Sequence, residues 1–510
     1  MNWRGNGRGD AANRIPITIS IMLATVMNSI DTTIANVALP HIQGSVSASA
    51  EQITWVLTSY IVAAAIMTPL TGFLAGRIGR KQLFLWSIGG FTIASMLCGL
   101  ADGLIEIVAF RLLQGLFGAS LIPLSQAVLL DINPPEKQPQ AMAVWGAGAV
   151  LGPVFGPVLG GWLTDSLSWR WVFFINLPVG LLAMAGVAIF LSEKKATNQK
   201  PFDFLGFASL AIAIAAIQML LDRGPGQDWF YSNEIWTYAI IFAISLWVFG
   251  VQIFTVKHPF IELSILKDFN FMMSTLLGFF VGVLMFATMA LLPSLMQSLM
   301  GYPVAYSGLV SMPRGLGSFI SMLMVGQLIT RVNVRIILLV GLSITAYSMW
   351  LMTFFNLSMD EDLLEVAGFL AGIGTGLVFV PLSTIAFSTI NPALRAEAAG
   401  FYTLIRNIGS SVGISIMQAI FVTGIAASRA AMSEHARPDN PVFQAYYPGG
   451  FDNLASIAGL NGQIMRQATM LSYVHSFNLL FLLALFCIPL LLLLRSPKYV
   501  RNDPAHAAVE

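Results

Sequence analysis

The feature that most constrains this chain is a succession of apolar runs separated by short polar joints. Each run is about as long as the 20 or so residues that a helix needs to cross a bilayer. Backbone N–H and C=O groups cannot stay unsatisfied in hydrocarbon, so each run reads as a helix bonded within itself. Composition agrees: of 510 residues 56% are hydrophobic and only 10% charged, with a mean hydropathy of +0.76, where soluble proteins carry about 25% charged residues. No polar stretch is long enough for a soluble domain, so one membrane-embedded body is expected.

The windows predict an all-α integral membrane protein of fourteen transmembrane helices near residues 15–39, 53–75, 83–101, 104–130, 140–163, 171–192, 203–221, 235–256, 271–298, 305–329, 334–356, 363–388, 397–426 and 474–495. They group as a six-helix bundle over 15–192, two inserted helices over 203–256 and a second six-helix bundle over 271–495, with tails at 1–14 and 496–510. An even number places both termini on one side. Of the 26 Lys and Arg, eighteen fall in the tails and loops of that side and five on the other, while Arg111, Arg314 and Arg406 lie inside spans. The positive-inside rule then makes the termini cytoplasmic. The basic tail with Arg4 and Arg8 leads into a run too long for a signal-peptide core, and is read as retained. One long external loop is expected over 427–473, broken by turn signals at Arg437-Pro-Asp-Asn-Pro441 and Tyr446-Tyr-Pro-Gly-Gly450. Beyond them, Phe451 to Met470 has the spacing of an amphipathic helix, either solvated or docking a partner. Cys98 and Cys487 sit in separate apolar runs, which argues against a disulfide framework or a metal site, and a net charge of +1 gives no hint of a nucleic-acid partner.

An internal repeat organises the spans. Leu112-Leu-Gln-Gly115, Ile122-Pro-Leu-Ser125 and Asn133-Pro134 recur as Phe369-Leu-Ala-Gly372, Val380-Pro-Leu-Ser383 and Asn391-Pro392. Gly72 to Arg77 with Lys81 recur as Gly326 to Arg331 with Arg335. Equivalent spans are eight apart, so the repeats run parallel around an axis along the membrane normal, as in proteins that rock one half against the other. Arg111 has no matching arginine in the twelfth span, and the two Gly-Pro pairs of the fifth span have no counterpart beside Arg406.

Several motifs together resemble the major facilitator superfamily and, within it, the fourteen-helix drug:proton antiporters of the EmrB/QacA branch. They are Asp31-Thr-Thr-Ile-Ala-Asn-Val-Ala-Leu-Pro40, the basic loop Gly72 to Lys81, Arg111-Leu-Leu-Gln-Gly115 and the glycine- and proline-rich run Gly148 to Gly161. Trp169 to Gly180 and Arg406-Asn-Ile-Gly409 complete the set, and Leu221-Asp-Arg-Gly224 with Asp228-Trp-Phe230 is most similar to the EmrB subgroup. The family's basic loop carries an acid where this chain has Gly76, so a charge lock through that carboxylate is not expected. Arg77, Arg80 and Lys81 remain free to meet helix ends or lipid phosphates.

The resemblance implies proton-coupled export of hydrophobic drugs or toxic compounds, with a periplasmic adaptor and an outer-membrane channel as partners and no cofactor beyond the proton gradient. An exporter of one natural product, such as a siderophore or fatty acid, is the alternative. No phosphate-binding Gly-rich loop with Lys and Ser/Thr and no HExxH appears, so neither ATP hydrolysis nor an embedded metalloenzyme is indicated. Proton coupling needs a carboxyl whose ionised form is costly in one state and partnered in another, since burial raises its pKa and a nearby arginine lowers it. Asp31, deep in the first span, is the first candidate, Arg111 its possible tuner, and Asp222 at the end of the seventh span a third. Gly148, Gly152, Pro153, Gly156 and Pro157 are expected to form a gate or hinge, because small residues allow close approach and prolines disturb the helix ladder. Asn36, Gln114, Gln126, Arg406 and Asn407 are candidate cavity or structural polar groups, and Asp131 a turn or capping group.

Overall fold

A computed structural model describes residues 13–49, 52–192, 201–329, 331–437, 439–446 and 454–494. Proline placement explains how the apolar runs divide into helices. The first run is one helix, α1 (Arg14–Ser45). The second is two, α2 (Trp55–Met67) and α3 (Leu70–Ile78), bent by 58° at Pro69. Gly79 then takes φ +91°, a conformation that costs glycine little, and turns the chain into α4 (Arg80–Leu100). The fourth run divides into α5 (Leu104–Gly118) and α6 (Leu121–Ile132), because Pro123 cannot donate to the carbonyl of Ala119 and crowds it. The fifth is α7 (Gln138–Ser166), a continuous helix of 29 residues. In it the side chains of Pro153 and Pro157 lie outside those described. The sixth is broken at Ile175, between α8 (Trp171–Phe174) and α9 (Asn176–Phe190), just ahead of Pro178.

The inserted pair is α10 (Phe204–Arg223) and α11 (Asn233–Thr255). After the short α12 (Leu263–Lys267) come α13 (Phe269–Ser294), α14 (Val304–Leu328), α15 (Val334–Met352), α16 (Glu361–Ser388) and α17 (Arg395–His435). The short α18 (Pro441–Tyr446) and the final α19 (Leu454–Leu490) end the fold. Among the described residues twelve helices are long and apolar enough to cross a membrane, or thirteen when α2 and α3 count as one span.

The expected loop at 427–473 is mostly helix. With 41 and 37 residues, α17 and α19 are about 60 and 55 Å long, nearly twice the ~30 Å hydrocarbon core, so both run on past it. Arg429 Nη2 donates to Asn461 Oδ1 at 3.1 Å and ties the extensions together. The separate amphipathic helix expected from Phe451 does not form. From Leu454 onward the segment is continuous with the last span, because leaving the bilayer changes a helix's surface but not its backbone bonding; residues 451–453 lie outside those described.

Apolar burial differs between the two ends of the bundle. At the end where α1 begins and α19 stops, one core unites both halves, joining Leu83 and Phe84 to Leu338, Phe387 and Tyr402. Toward the opposite end the cores are separate, one around Ile34, Val172 and Phe173 and another around Leu284, Met349 and Phe477. Of the inserted helices, α10 packs on α2 and α17, while only 11% of the apolar window of α11 is buried, leaving it to face lipid.

Candidate functional site

The separate core of the N-terminal half encloses a polar cluster assembled from five of the predicted spans. Asp31 lies midway along α1, and Arg111 and Gln114, one turn apart, are presented on one face of α5. Arg111 Nη1 reaches Asp31 Oδ2 at 2.7 Å, and both side chains are 0% exposed. Asp31 Oδ1 accepts from Gln114 Nε2 at 2.8 Å and from Asn176 Nδ2 at 2.9 Å. The carboxylate therefore takes one cationic and two amide donors.

Arg111 has further partners. Its Nη1 also donates to Gln114 Oε1 at 2.8 Å and its Nε to the Val56 carbonyl of α2 at 3.2 Å. Its guanidinium lies 4.4 Å from the Tyr60 ring centroid and 5.7 Å from that of Phe173, within range for cation–π attraction. An outer layer fixes these groups: Asn176 donates to Ser95 Oγ and Asn28 to the Tyr60 hydroxyl, while Ser95 donates to the Phe173 carbonyl. Arg111 Nη2 is buried without a partner among the described residues. A pair like this is stable only while both charges are present, since each alone would carry a desolvation cost of several kcal/mol.

Packing of α7 on α1 brings the glycine run beside this cluster. A Cβ on Gly148 would strike Met22, one on Gly152 the Ser29 backbone, and one on Gly156 the Thr33 hydroxyl. Thr33 Oγ1 donates to the Gly152 carbonyl at 3.0 Å, as the close approach allows. The C-terminal half repeats the arrangement, with Gly409 against Phe279 and Gly413 against Val283. The glycines of the fifth span thus do have counterparts beside Arg406, although the prolines do not.

The other predicted residues lie apart. Asp222 is exposed and accepts from Thr58 Oγ1 at 2.8 Å, outside the cluster. Asn36 is exposed, its amide 3.4 Å from the Thr32 carbonyl. Gln126 is fully buried, and neither polar atom of its side chain has a partner among the described residues. Arg406 lies 5.3 Å from the Phe379 ring centroid and 3.4 Å from Asn407 Oδ1. Phe379 also stacks on Trp145 of α7, with centroids 5.9 Å apart and planes 13° from parallel, and Trp145 Nε1 donates to Ser125 Oγ.

A charge lock does form at the end where α1 begins and α19 stops, through an acid other than the missing one. Arg80 pairs with Asp131 at the end of α6 and donates to the Pro392 carbonyl of the other half at 3.2 Å. Arg395 approaches the same carboxylate at 3.6 Å and the Leu130 carbonyl at 3.4 Å. Asp131 is thus an inter-half ion-pair partner rather than a cap. Lys81 Nζ donates to the Ala188 carbonyl at 2.7 Å, and Arg77 lies over Phe73.

Asn28, Tyr60, Ser95 and Asn176 were not singled out in the sequence. Polar uncharged residues are common in membrane helices, so only position marks them; Asn176 alone had a signal, the Phe-Ile-Asn-Leu-Pro segment ending at Pro178.

Residues 21–414 match the description of the Major Facilitator Superfamily. The chain is 38% identical over 426 residues to the fatty acid resistance protein FarB of Neisseria gonorrhoeae, covering 83% of each chain. It is 36% identical over 442 residues to the multidrug export protein EmrB of Escherichia coli strain K12, covering 86% of each. Among solved structures it resembles the human organic anion transporter MFSD10 (TETRAN), with a TM-score of 0.59 at 16% identity over 92% of this chain and 99% of that one. A bacterial homologue of the human lysosomal transporter Spinster, in an inward-facing conformation, gives a TM-score of 0.55 at 17% identity over 96% and 98%. The chain belongs to the Major Facilitator Superfamily and, within it, to the EmrB-type group.

Proposed function

We propose that this protein exports hydrophobic drugs or toxic compounds across the cytoplasmic membrane in exchange for protons, by alternating access. In this reading α7 completes fourteen spans arranged as six, two inserted and six, with both termini in the cytoplasm. The observation that carries it is the buried Asp31–Arg111 pair, a carboxylate and a guanidinium that are each costly to bury without the other. Multidrug export by the EmrB relatives supports the efflux direction. The proton gradient supplies the energy, each inward charge being worth about 2.3 kcal/mol per 100 mV. The protein then forms the inner-membrane part of a tripartite pump with a periplasmic adaptor and an outer-membrane channel, and the projecting ends of α17 and α19 face the adaptor.

Purified protein in proteoliposomes tests the coupling. Drug addition should move protons in step with drug, and Asp31→Asn should abolish the coupled flux while leaving insertion intact; normal coupled flux in that variant sinks the assignment. A second reading, export of fatty acids, is favoured by the 38% identity to the fatty acid resistance protein.

A further inference from the structure

The cluster around Asp31 has a structural counterpart in the C-terminal half, with its chemistry inverted. Packing contacts set the register. Gly115 closes on the Tyr60 carbonyl and Gly372 on the Arg314 carbonyl; Gly152 and Gly156 meet Ser29 and Thr33 where Gly409 and Gly413 meet Phe279 and Val283. Tyr60 is thereby matched with Arg314, Arg111 with Gly368, Gln114 with Ala371 and Asp31 with Val281. The spacing of the repeated basic loops matches Ser95 with Met349.

At the matched place lies a cavity of about 20 Å³, lined by Val281, Arg314, Met349 and Ala371 among others. The acid Asp31 and the Gln114 amide of the N-terminal cluster are both replaced, by Val281 and Ala371. The cation has moved from α5 to the helix equivalent to α2, where it faces Gly368, at the position matched with Arg111. Arg314 Nη2 donates to the Met285 carbonyl at 3.0 Å, and no carboxylate among the described residues comes within ion-pair distance. A guanidinium offers five N–H donors and is costly in an apolar site without a counter-charge. The surrounding Leu284, Leu342, Met285 and Met349 offer an adaptable apolar wall.

We propose that this pocket is the head-group subsite for an amphipathic monoanionic substrate, its carboxylate supplying the counter-charge that Asp31 supplies in the other half. The volume has room for a few oxygen-sized atoms and not for a chain, so it recognises the head while the tail lies elsewhere. The inference rests on the efflux reading for its meaning, but its test is a binding measurement that needs no transport.

Full-length protein in nanodiscs is titrated with laurate and with lauramide, which shares the chain and lacks the charge. Arg314→Gln should weaken laurate at least about tenfold, as expected for a lost charge-assisted hydrogen bond, and leave lauramide unchanged; Arg314→Lys should recover part of the loss. Val281→Asp guards against misfolding of the first variant: it keeps the arginine, provides an internal carboxylate and should exclude laurate equally. Laurate binding unchanged in both variants, or an equal loss for laurate and lauramide, overturns the proposal. So does chloride binding that depends on Arg314 while laurate binding does not. If Asp31-dependent export of a cationic dye persists while laurate binding ignores Arg314, this inference alone falls. If laurate binding depends on Arg314 but no proton flux accompanies any substrate, the efflux reading falls instead.

Discussion

Around Arg111 the N-terminal half places a carboxylate, two amides and an aromatic face; around Arg314, at the matching place, the C-terminal half offers a backbone carbonyl, methionines and a glycine. The backbones that carry these groups approach in the same way, glycine for glycine. What has been kept between the halves is helix contact, and what has diverged is charge. A duplicated bundle can change its chemistry this freely because the close approaches reside in residues without side chains, leaving neighbouring positions open to substitution.

The largest expected contrast is in stability. Arg111→Met strips the partner from a fully buried Asp31 and should cost about 3–5 kcal/mol, read as a lower midpoint in denaturant unfolding from detergent. Arg314→Met abandons no acid and should change the midpoint little or raise it. Equal losses would break the comparison. Next come the scaffold glycines: Gly152→Ala and Gly409→Ala each push a methyl group into a backbone on the facing helix, and each should cost about 1–3 kcal/mol. A cost confined to one half would show that the packing is not shared. The smallest effect is at the lock between halves. Asp131→Asn removes a partly exposed partner of Arg80 and Arg395, worth about 1 kcal/mol. It should broaden the spin-label distance distribution between positions 136 and 393 toward longer values; an unchanged distribution would mean that the apolar core alone holds this end together.

Much of this was legible in the sequence, for reasons that also explain the remainder. Asp31 and Arg111 stand out because a charge in a long apolar run is rare and expensive, yet nothing in their spacing shows that they meet, since they lie 80 residues apart. Arg314 was legible only as a third arginine inside a span, weaker than Arg111 and Arg406, because its meaning depends on what is missing around it, which only the fold reveals. Gly76 correctly indicated that the usual carboxylate is absent from the basic loop, whereas the substitute, Asp131, belongs to a different helix end and reads locally as a turn residue. The extensions of α17 and α19 were hidden because hydropathy follows the solvent around a helix rather than the helix itself.

The stack of Trp145, Phe379 and Arg406 has a practical consequence. It places an indole from one half, 1% exposed, face to face with a ring from the other. Parting the halves at that level would unstack and hydrate the indole, so its fluorescence, isolated by difference against Trp145→Phe, becomes a label-free optical gauge. Recorded during substrate and pH jumps, it would time the opening in the unmodified protein.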